Sequence, residues 1–134
     1  MKTTILLLAL CGAAQGAGLA AIKAEPNLEK RADQALAHAN EMVDEARKEP
    51  TAAALGEIGE SVDLCRDSLI GTGKSPHKSP KAFKKAELAT RQIIRRLENL
   101  RQDLAATERV GVEKLIGHLH DVHDELLDGI MRKK

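Results

Sequence analysis

One stretch of the chain, residues 83–104, constrains the fold more than any other. Apolar or small residues recur there at alternating steps of three and four, which is the spacing of one buried face of an α-helix. The residues on this face are Phe83, Ala86, Thr90, Ile93, Leu97, Leu100 and Leu104. The positions predicted to face outward are rich in basic side chains, namely Lys84, Lys85, Arg91, Arg95, Arg96 and Arg101. The sequence therefore predicts a long amphipathic helix with an apolar inner face and a basic outer face.

The start of the chain has the pattern of a secretory signal peptide over residues 1–16. Lys2 precedes a short apolar run from Ile5 to Leu10, and Ala14 and Gly16 fit a small-x-small cleavage site. The run is far shorter than the roughly 20 residues that a membrane-spanning helix needs. We expect an exported chain, periplasmic or extracellular if it is bacterial, with a flexible lead-in over residues 17–26.

The remainder, residues 27–134, has the length of a single domain, and we expect it to be helical throughout. Asn27 is placed to cap a first helix that ends near Lys48, and Thr51 to cap a second that stops at Gly71. Gly56 and Gly59 interrupt this second helix, and we interpret both as tolerated positions rather than as marks of close packing. Residues 71–80, GTGKSPHKSP, read as a linker between two halves.

Four amphipathic helices with short, long and short connections favour an all-α fold, an antiparallel four-helix bundle. A stacked pair of helical hairpins, as in helical repeat proteins, is the alternative, because the first helix has an alanine-rich face suited to such stacking. A tight turn near Thr107 is predicted to separate the third helix from the fourth, since otherwise the two would form one long rod. Without the signal peptide Cys65 is the only cysteine, so no internal disulfide forms and the core must carry the stability.

Charge is unevenly distributed along the chain. Residues 25–70 contain 11 acidic and 5 basic side chains, whereas residues 71–109 contain 10 basic and 4 acidic ones. One interpretation is internal neutralisation, with the acidic hairpin lying beside the basic third helix. The other is a surface for an anionic partner, such as a lipid head group or an envelope polymer. The residues assigned to that surface are Lys74, Lys78, Lys81, Lys84 and Lys85.

The fourth predicted helix contains GHLHDVHDELLD, a density of histidine and carboxylate that invites a metal ion. At about 100° per residue, however, His118 and His123 fall on opposite flanks of the apolar stripe and His120 points outward. A smaller site remains open at His120, His123 and Asp124, whose spacings of three and four share a face. A solvated polar face is the alternative interpretation of these residues.

In its architecture the chain resembles the periplasmic b-type cytochrome bundles, and the segment KSPHKSPKAF is similar to their long central loop. That resemblance implies a noncovalent haem held by methionine and histidine, here Met42 and a histidine of the fourth helix. Met42 lies late in its helix, however, whereas the ligands of that family lie near the two chain ends of the bundle. The sequence also contains no CxxCH motif for covalent haem attachment. Our own prediction is that the chain has no resident cofactor.

Motifs for catalysis do not appear in the sequence. GxSxG is absent, GTGK lacks the spacing of a phosphate-binding loop, and Cys65 falls on the apolar face of its helix. Phe83 is the only residue among phenylalanine, tyrosine and tryptophan, which argues against recognition of sugars or nucleic-acid bases by aromatic stacking. We therefore expect a non-enzymatic binding or structural-interaction module of the cell envelope, monomeric or homodimeric, with an anionic envelope surface or another protein as its partner and no nucleic acid. A weak metal or haem carrier and an envelope chaperone are the alternatives.

Overall fold

The computed structural model describes residues 18–72 and 80–131, and all of the regular structure within them is helical. The predicted signal peptide and most of the predicted linker at 71–80 lie outside these residues. Four long helices pack together, so the predicted all-α helical bundle is confirmed. They are α1 (Leu28–Lys48), α2 (Ala52–Gly71), α3 (Pro80–Gln102) and α4 (Ala106–Met131).

The ends of the first two helices follow from local side-chain chemistry. Asn27 Oδ1 accepts a hydrogen bond of 2.9 Å from the backbone N–H of Lys30, and Thr51 Oγ1 accepts one of 3.1 Å from that of Ala54. Both bonds satisfy an amide that has no partner within the helix. The extended backbone of Glu49 ahead of Pro50 ends α1, as expected for a residue that precedes proline. The predicted bounds of α1 and α2 are confirmed.

A turn at residues 103–105 separates α3 from α4, so the predicted break is confirmed, slightly earlier than Thr107. The N–H of Asp103 donates to the carbonyl oxygen of Leu100 at 3.0 Å, which tightens the end of α3. The guanidinium of Arg109 donates through Nε to the carbonyl oxygen of Leu104, also at 3.0 Å. An otherwise free carbonyl at the turn is therefore satisfied by a side chain from the next helix.

The helices form two hairpins, α1–α2 and α3–α4, that lie side by side in the same orientation. Consecutive helices alternate in direction, but α1 runs parallel to α3 and α2 runs parallel to α4. The contacts between the two hairpins show the parallel directions, because a later residue of one helix meets a later residue of its neighbour. These contacts are Asp33 with Lys85, Asp44 with Arg96, Asp63 with His118, and Arg66 with Glu125. The bundle thus also has the arrangement of the alternative prediction, a stacked pair of helical hairpins.

Seen along their axes, the four helices lie at the corners of a square. α2 and α3 occupy one diagonal and make few contacts, and α1 and α4, on the other diagonal, are not in contact among the described residues. The core runs along the centre and holds one apolar face of each helix. On α1 this face is mostly alanine, with Ala32, Ala35, Ala39 and Ala46 buried. Small side chains let α2 approach closely, and the bulk of the core comes from the leucines, isoleucines and valines of the other helices.

The flexible lead-in predicted over residues 17–26 is wrong for residues 18–23, which form a short helical segment. Leu19 is buried and Ile22 packs against the core. Arg31 fixes the end of this segment by donating to the carbonyl oxygen of Glu25 through Nε at 2.9 Å and Nη2 at 2.7 Å. Leu19 and Ile22 are three positions apart, which fits one face of a helix. A segment this short cannot be predicted to be helical from periodicity alone.

Two further expectations are corrected. Arg96 is only partly exposed: it lies at the edge between α3 and α1, where its guanidinium donates to Asn40 Oδ1 at 3.0 Å and pairs with Asp44. Gly59 is a site of close packing, because a Cβ built there would lie 3.3 Å from Leu115 Cδ1. At Gly56 such a Cβ meets nothing within 4 Å, so the tolerated position is Gly56 alone.

Candidate functional site

The outward face of α3 presents a row of exposed basic side chains. Five exposed residues follow one another along this face at steps of three and four, namely Lys81, Lys84, Leu88, Arg91 and Arg95. The exposed residues Lys85 and Gln92 lie beside them. We call this set the α3 face, and its charged and apolar members are Lys81, Lys84, Lys85, Leu88, Arg91 and Arg95. No acidic residue occupies an exposed position among them.

The buried side of α3 fixes which residues form this face. Ile93 and Leu97 are fully buried in the core, and Phe83 and Ala86 are nearly so. Thr90, also buried, donates its hydroxyl to the carbonyl oxygen of Ala86 at 2.7 Å, so its polar group is satisfied within the helix. Because the inner stripe is locked into the core, the residues on the opposite side must face solvent.

The cations of the α3 face differ in how far they are neutralised. Lys85 Nζ lies 3.2 Å from Asp33 Oδ1 on α1, and Arg91 Nη2 lies 2.8 Å from Glu87 Oε2 within α3. Lys81, Lys84 and Arg95 have no ion pair with any other residue that the structure describes. Internal neutralisation is therefore present but incomplete, since α1 compensates Lys85 and Arg96. Lys81, Lys84 and Arg95 have no carboxylate partner among the described residues, and we call these three the open cations.

A buried carboxylate lies beneath the face. Glu87 is only 5% exposed, and its Oε2 lies 2.7 Å from Nε2 of His123 on α4 as well as close to Arg91. Burial alone raises the pKa of Glu87, but the hydrogen bonds and charges of His123 and Arg91 outweigh burial and leave this pKa lowered. Glu87 is therefore ionised, and it links Arg91 of the α3 face to His123 on α4.

Of the predicted lysine surface, Lys81, Lys84 and Lys85 lie together on the first turns of α3. Lys74 and Lys78 lie outside the described residues, so their part in the surface stays a prediction. Sequence reasoning placed Arg91 and Arg95 on the basic outer face of this helix but did not assign them to the partner surface, and it did not single out Leu88. The available clue was their spacing of three and four from Lys84, which continues the stripe past the last lysine.

The histidine-rich helix uses its side chains to join helices. His118 Nε2 lies 2.7 Å from Asp63 Oδ1 on α2, and His123 contacts Glu87 on α3. A third contact of this kind joins α1 to α2, with His38 Nε2 2.7 Å from Glu57 Oε1. His118 and His123 thus lie on opposite flanks of α4, as their sequence spacing predicted.

The structure does not assemble the predicted metal site at His120, His123 and Asp124. His123 turns its Nε2 toward Glu87, its Nδ1 lies 3.9 Å from Asp124 Oδ1, and His120 is exposed. Across the part of the chain that the structure describes, no group of three or more histidine, cysteine, aspartate or glutamate side chains has a geometry that could hold a metal ion.

Met42 is not brought to a histidine of α4 either, because α1 and α4 occupy a diagonal of the bundle. Met42 instead lines an open groove of about 660 Å³ on the outside of the α1–α2 hairpin, together with His38 and Glu57. The ligand pair implied by the resemblance to b-type cytochromes is thus not positioned around one site.

Cys65 is a core residue. It is 1% exposed, and burial, reinforced by Asp33 and opposed by Lys85, raises the pKa of its thiol to about 12. A thiol that stays protonated is a poor nucleophile. Cys65 therefore contributes packing rather than reactivity, in agreement with its place on the apolar face of α2.

Comparison of the chain with protein-family models, with curated proteins and with solved structures finds no match.

Proposed function

We propose that this chain is an exported, non-enzymatic helical module that binds an anionic surface or polymer of the cell envelope through the α3 face. The observation that carries the proposal is the run of exposed cations from Lys81 to Arg95, three of which have no carboxylate partner among the described residues. The pattern of residues 1–16 supports export. The protonated, buried thiol of Cys65 supports a role without nucleophilic chemistry at this residue.

The size of the expected interaction follows from the three open cations. Each basic side chain near an anionic surface contributes about 1 kcal/mol. Lys81, Lys84 and Arg95 together then supply about 3 kcal/mol, whereas a dissociation constant of 1 mM corresponds to about 4 kcal/mol. Binding by one copy is therefore weak and dependent on salt, and Lys85, Arg91 and the lysines at 74 and 78 add to it.

Contact with a membrane would be at its surface. Within residues 18–72 and 80–131, none of the helices combines the length and the apolar composition needed to cross a bilayer. The apolar face of each long helix is already used in the core, so charged and polar groups make up most of what the helices offer a partner. Large apolar side chains such as Leu88 are exposed only singly.

The test is co-sedimentation with lipid vesicles at low salt, using vesicles with and without anionic lipid. The informative variant reverses the three open cations, Lys81→Glu, Lys84→Glu and Arg95→Glu. The matched control reverses three exposed cations elsewhere, Lys30→Glu, Arg47→Glu and Lys114→Glu, which changes the net charge equally. Circular dichroism checks that both variants remain helical.

We expect the protein to sediment with vesicles that contain anionic lipid and not with vesicles that lack it. Reversal on the α3 face should abolish this, and reversal at the control positions should reduce it only modestly. Equal losses in the two variants would mean that net charge alone drives binding and that the α3 face is not the site. Failure of the unaltered protein to bind either anionic vesicles or a soluble polyanion at low salt would refute the proposal altogether.

A further inference from the structure

An apolar side chain lies at the centre of the α3 face. Leu88 is 43% exposed and is flanked along the helix by Lys84 and Lys85 on one side and Arg91 and Arg95 on the other. An isolated exposed leucine is unremarkable in itself. Here, however, it is ringed by cations at the positions where a partner would have to touch the helix.

We propose that the anionic partner of the α3 face is the surface of a lipid bilayer, and that Leu88 inserts between its head groups. This inference rests on the proposed function and specifies its ligand. The interfacial region of a bilayer offers negative charge at the surface and apolar chains just below it. Lysine and arginine can keep their charged ends at the head groups while their aliphatic stems follow a neighbouring apolar residue inward.

The shape of the α3 face favours the same partner. It is the convex outer side of one helix, and the rise per residue makes it about 21 Å long from Lys81 to Arg95. Two grooves among the described residues lie away from this face, one on the outside of the α1–α2 hairpin and one where α1 and α3 end. A convex ridge suits a broad, deformable surface, whereas an extended polyanion is held more closely by a groove.

The chain offers an unusually clean reporter, because it contains no tryptophan and no tyrosine. A Leu88→Trp variant would carry the only strong fluorophore at the proposed insertion point. Leu127→Trp is the matched control: Leu127 is 38% exposed and lies on α4 between Asp124 and Asp128. Both substitutions replace a half-exposed leucine on a helix, and circular dichroism confirms that each variant is folded.

The probes are vesicles of phosphatidylglycerol and phosphatidylcholine, vesicles of phosphatidylcholine alone, and soluble polyphosphate. With anionic vesicles the emission of the Leu88→Trp variant should shift to the blue, and that of the Leu127→Trp variant should not. Lipid-borne quenchers at the depth of the head groups should quench only the former. Polyphosphate should produce no blue shift in either variant.

A second variant, Leu88→Ser, tests the same idea without a probe. Loss of the exposed part of the leucine should weaken partition to anionic vesicles about fivefold, with an unchanged dependence on salt. Binding to anionic vesicles with no blue shift at position 88 and no loss in Leu88→Ser would overturn the insertion and leave the proposed function intact. Binding to polyphosphate as tight as that to anionic vesicles would also overturn the insertion and leave the proposed function intact. Binding to neither polyphosphate nor anionic vesicles would refute the proposed function itself.

Discussion

The rotation of α3 decides which residues form its exposed face, and Leu97 tests that rotation. Its side chain is fully buried in the middle of the inner stripe, whereas Arg95, two residues earlier, is exposed and unpaired among the described residues. Leu97→Ala removes three buried carbon atoms, each worth about 0.8 kcal/mol on transfer from water. A cavity left in a close-packed core adds to this loss. We expect the free energy of unfolding to fall by about 3 to 4 kcal/mol.

Urea denaturation followed by circular dichroism at the helical band measures this loss. With a denaturant dependence of roughly 1.5 kcal/mol per molar, the midpoint should fall by about 2 M. Arg95→Ala should change the free energy of unfolding by less than about 0.5 kcal/mol. Arg96→Ala should lie between the two, since Arg96 bonds to Asn40 and Asp44 across the α1–α3 interface. A Leu97→Ala loss below about 1 kcal/mol, or one equalled by Arg95→Ala, would show that the helix is rotated differently.

Three other predictions concern Glu87, the two glycines within α2, and Cys65. Because the pKa of Glu87 is lowered in the folded state, its carboxylate stabilises the fold above the unfolded pKa of about 4.3 and stops doing so as the pH falls through the folded value. The unfolding free energy of the unaltered protein should therefore decline more steeply between about pH 5 and pH 3 than that of Glu87→Gln, and parallel declines would contradict this. Gly56→Ala should raise the free energy of unfolding by about 0.5 to 1 kcal/mol, whereas Gly59→Ala should gain less or lose, because Leu115 Cδ1 must give way. Equal gains in thermal melts would mean that α2 and α4 are less closely packed than described. The thiol of Cys65 should react with Ellman's reagent only as fast as the protein unfolds, and immediate reaction would show that this part of the core is open.

The first two helices could be predicted from the sequence because both starts and the end of α1 have a chemical cause close by in the chain. Asn27, Thr51 and the Glu49–Pro50 pair act within one turn of the residues that they stop or start. The spacing of the inner stripe of α3 likewise fixed its buried side. Local chemistry and periodicity of this kind are visible in one sequence.

Other features depend on what lies across an interface. The parallel pairing of the two hairpins, the turn of Arg96 toward Asp44 and the contact of Gly59 with Leu115 each join residues more than 50 positions apart. A helical period gives the angle of a residue around its own helix but not the neighbour at that angle. Arg96 was assigned to solvent for this reason, although it lies at the edge between the exposed and buried sides.

The candidate site was predicted in part. Closely spaced lysines marked its beginning at Lys81, Lys84 and Lys85, and the helical period placed Arg91 and Arg95 on the outer side. That Leu88 joins the two groups of cations became evident only once its exposure was known. The histidines show the converse. Their density suggested a metal, whereas His118 and His123 each lie against a carboxylate of a neighbouring helix, a contact that composition cannot reveal.

The salt dependence of binding to anionic vesicles is the sharpest test of the proposal that the α3 face binds an anionic surface through its charge. At about 10 mM salt the Debye length is about 30 Å, so the open cations of the α3 face act together on a charged surface, whereas at about 1 M it is about 3 Å. We predict that the unaltered protein sediments with vesicles containing phosphatidylglycerol at the lower salt concentration and is released from them at the higher one. Absence of binding at the lower salt, or binding that persists unchanged at the higher, would contradict it.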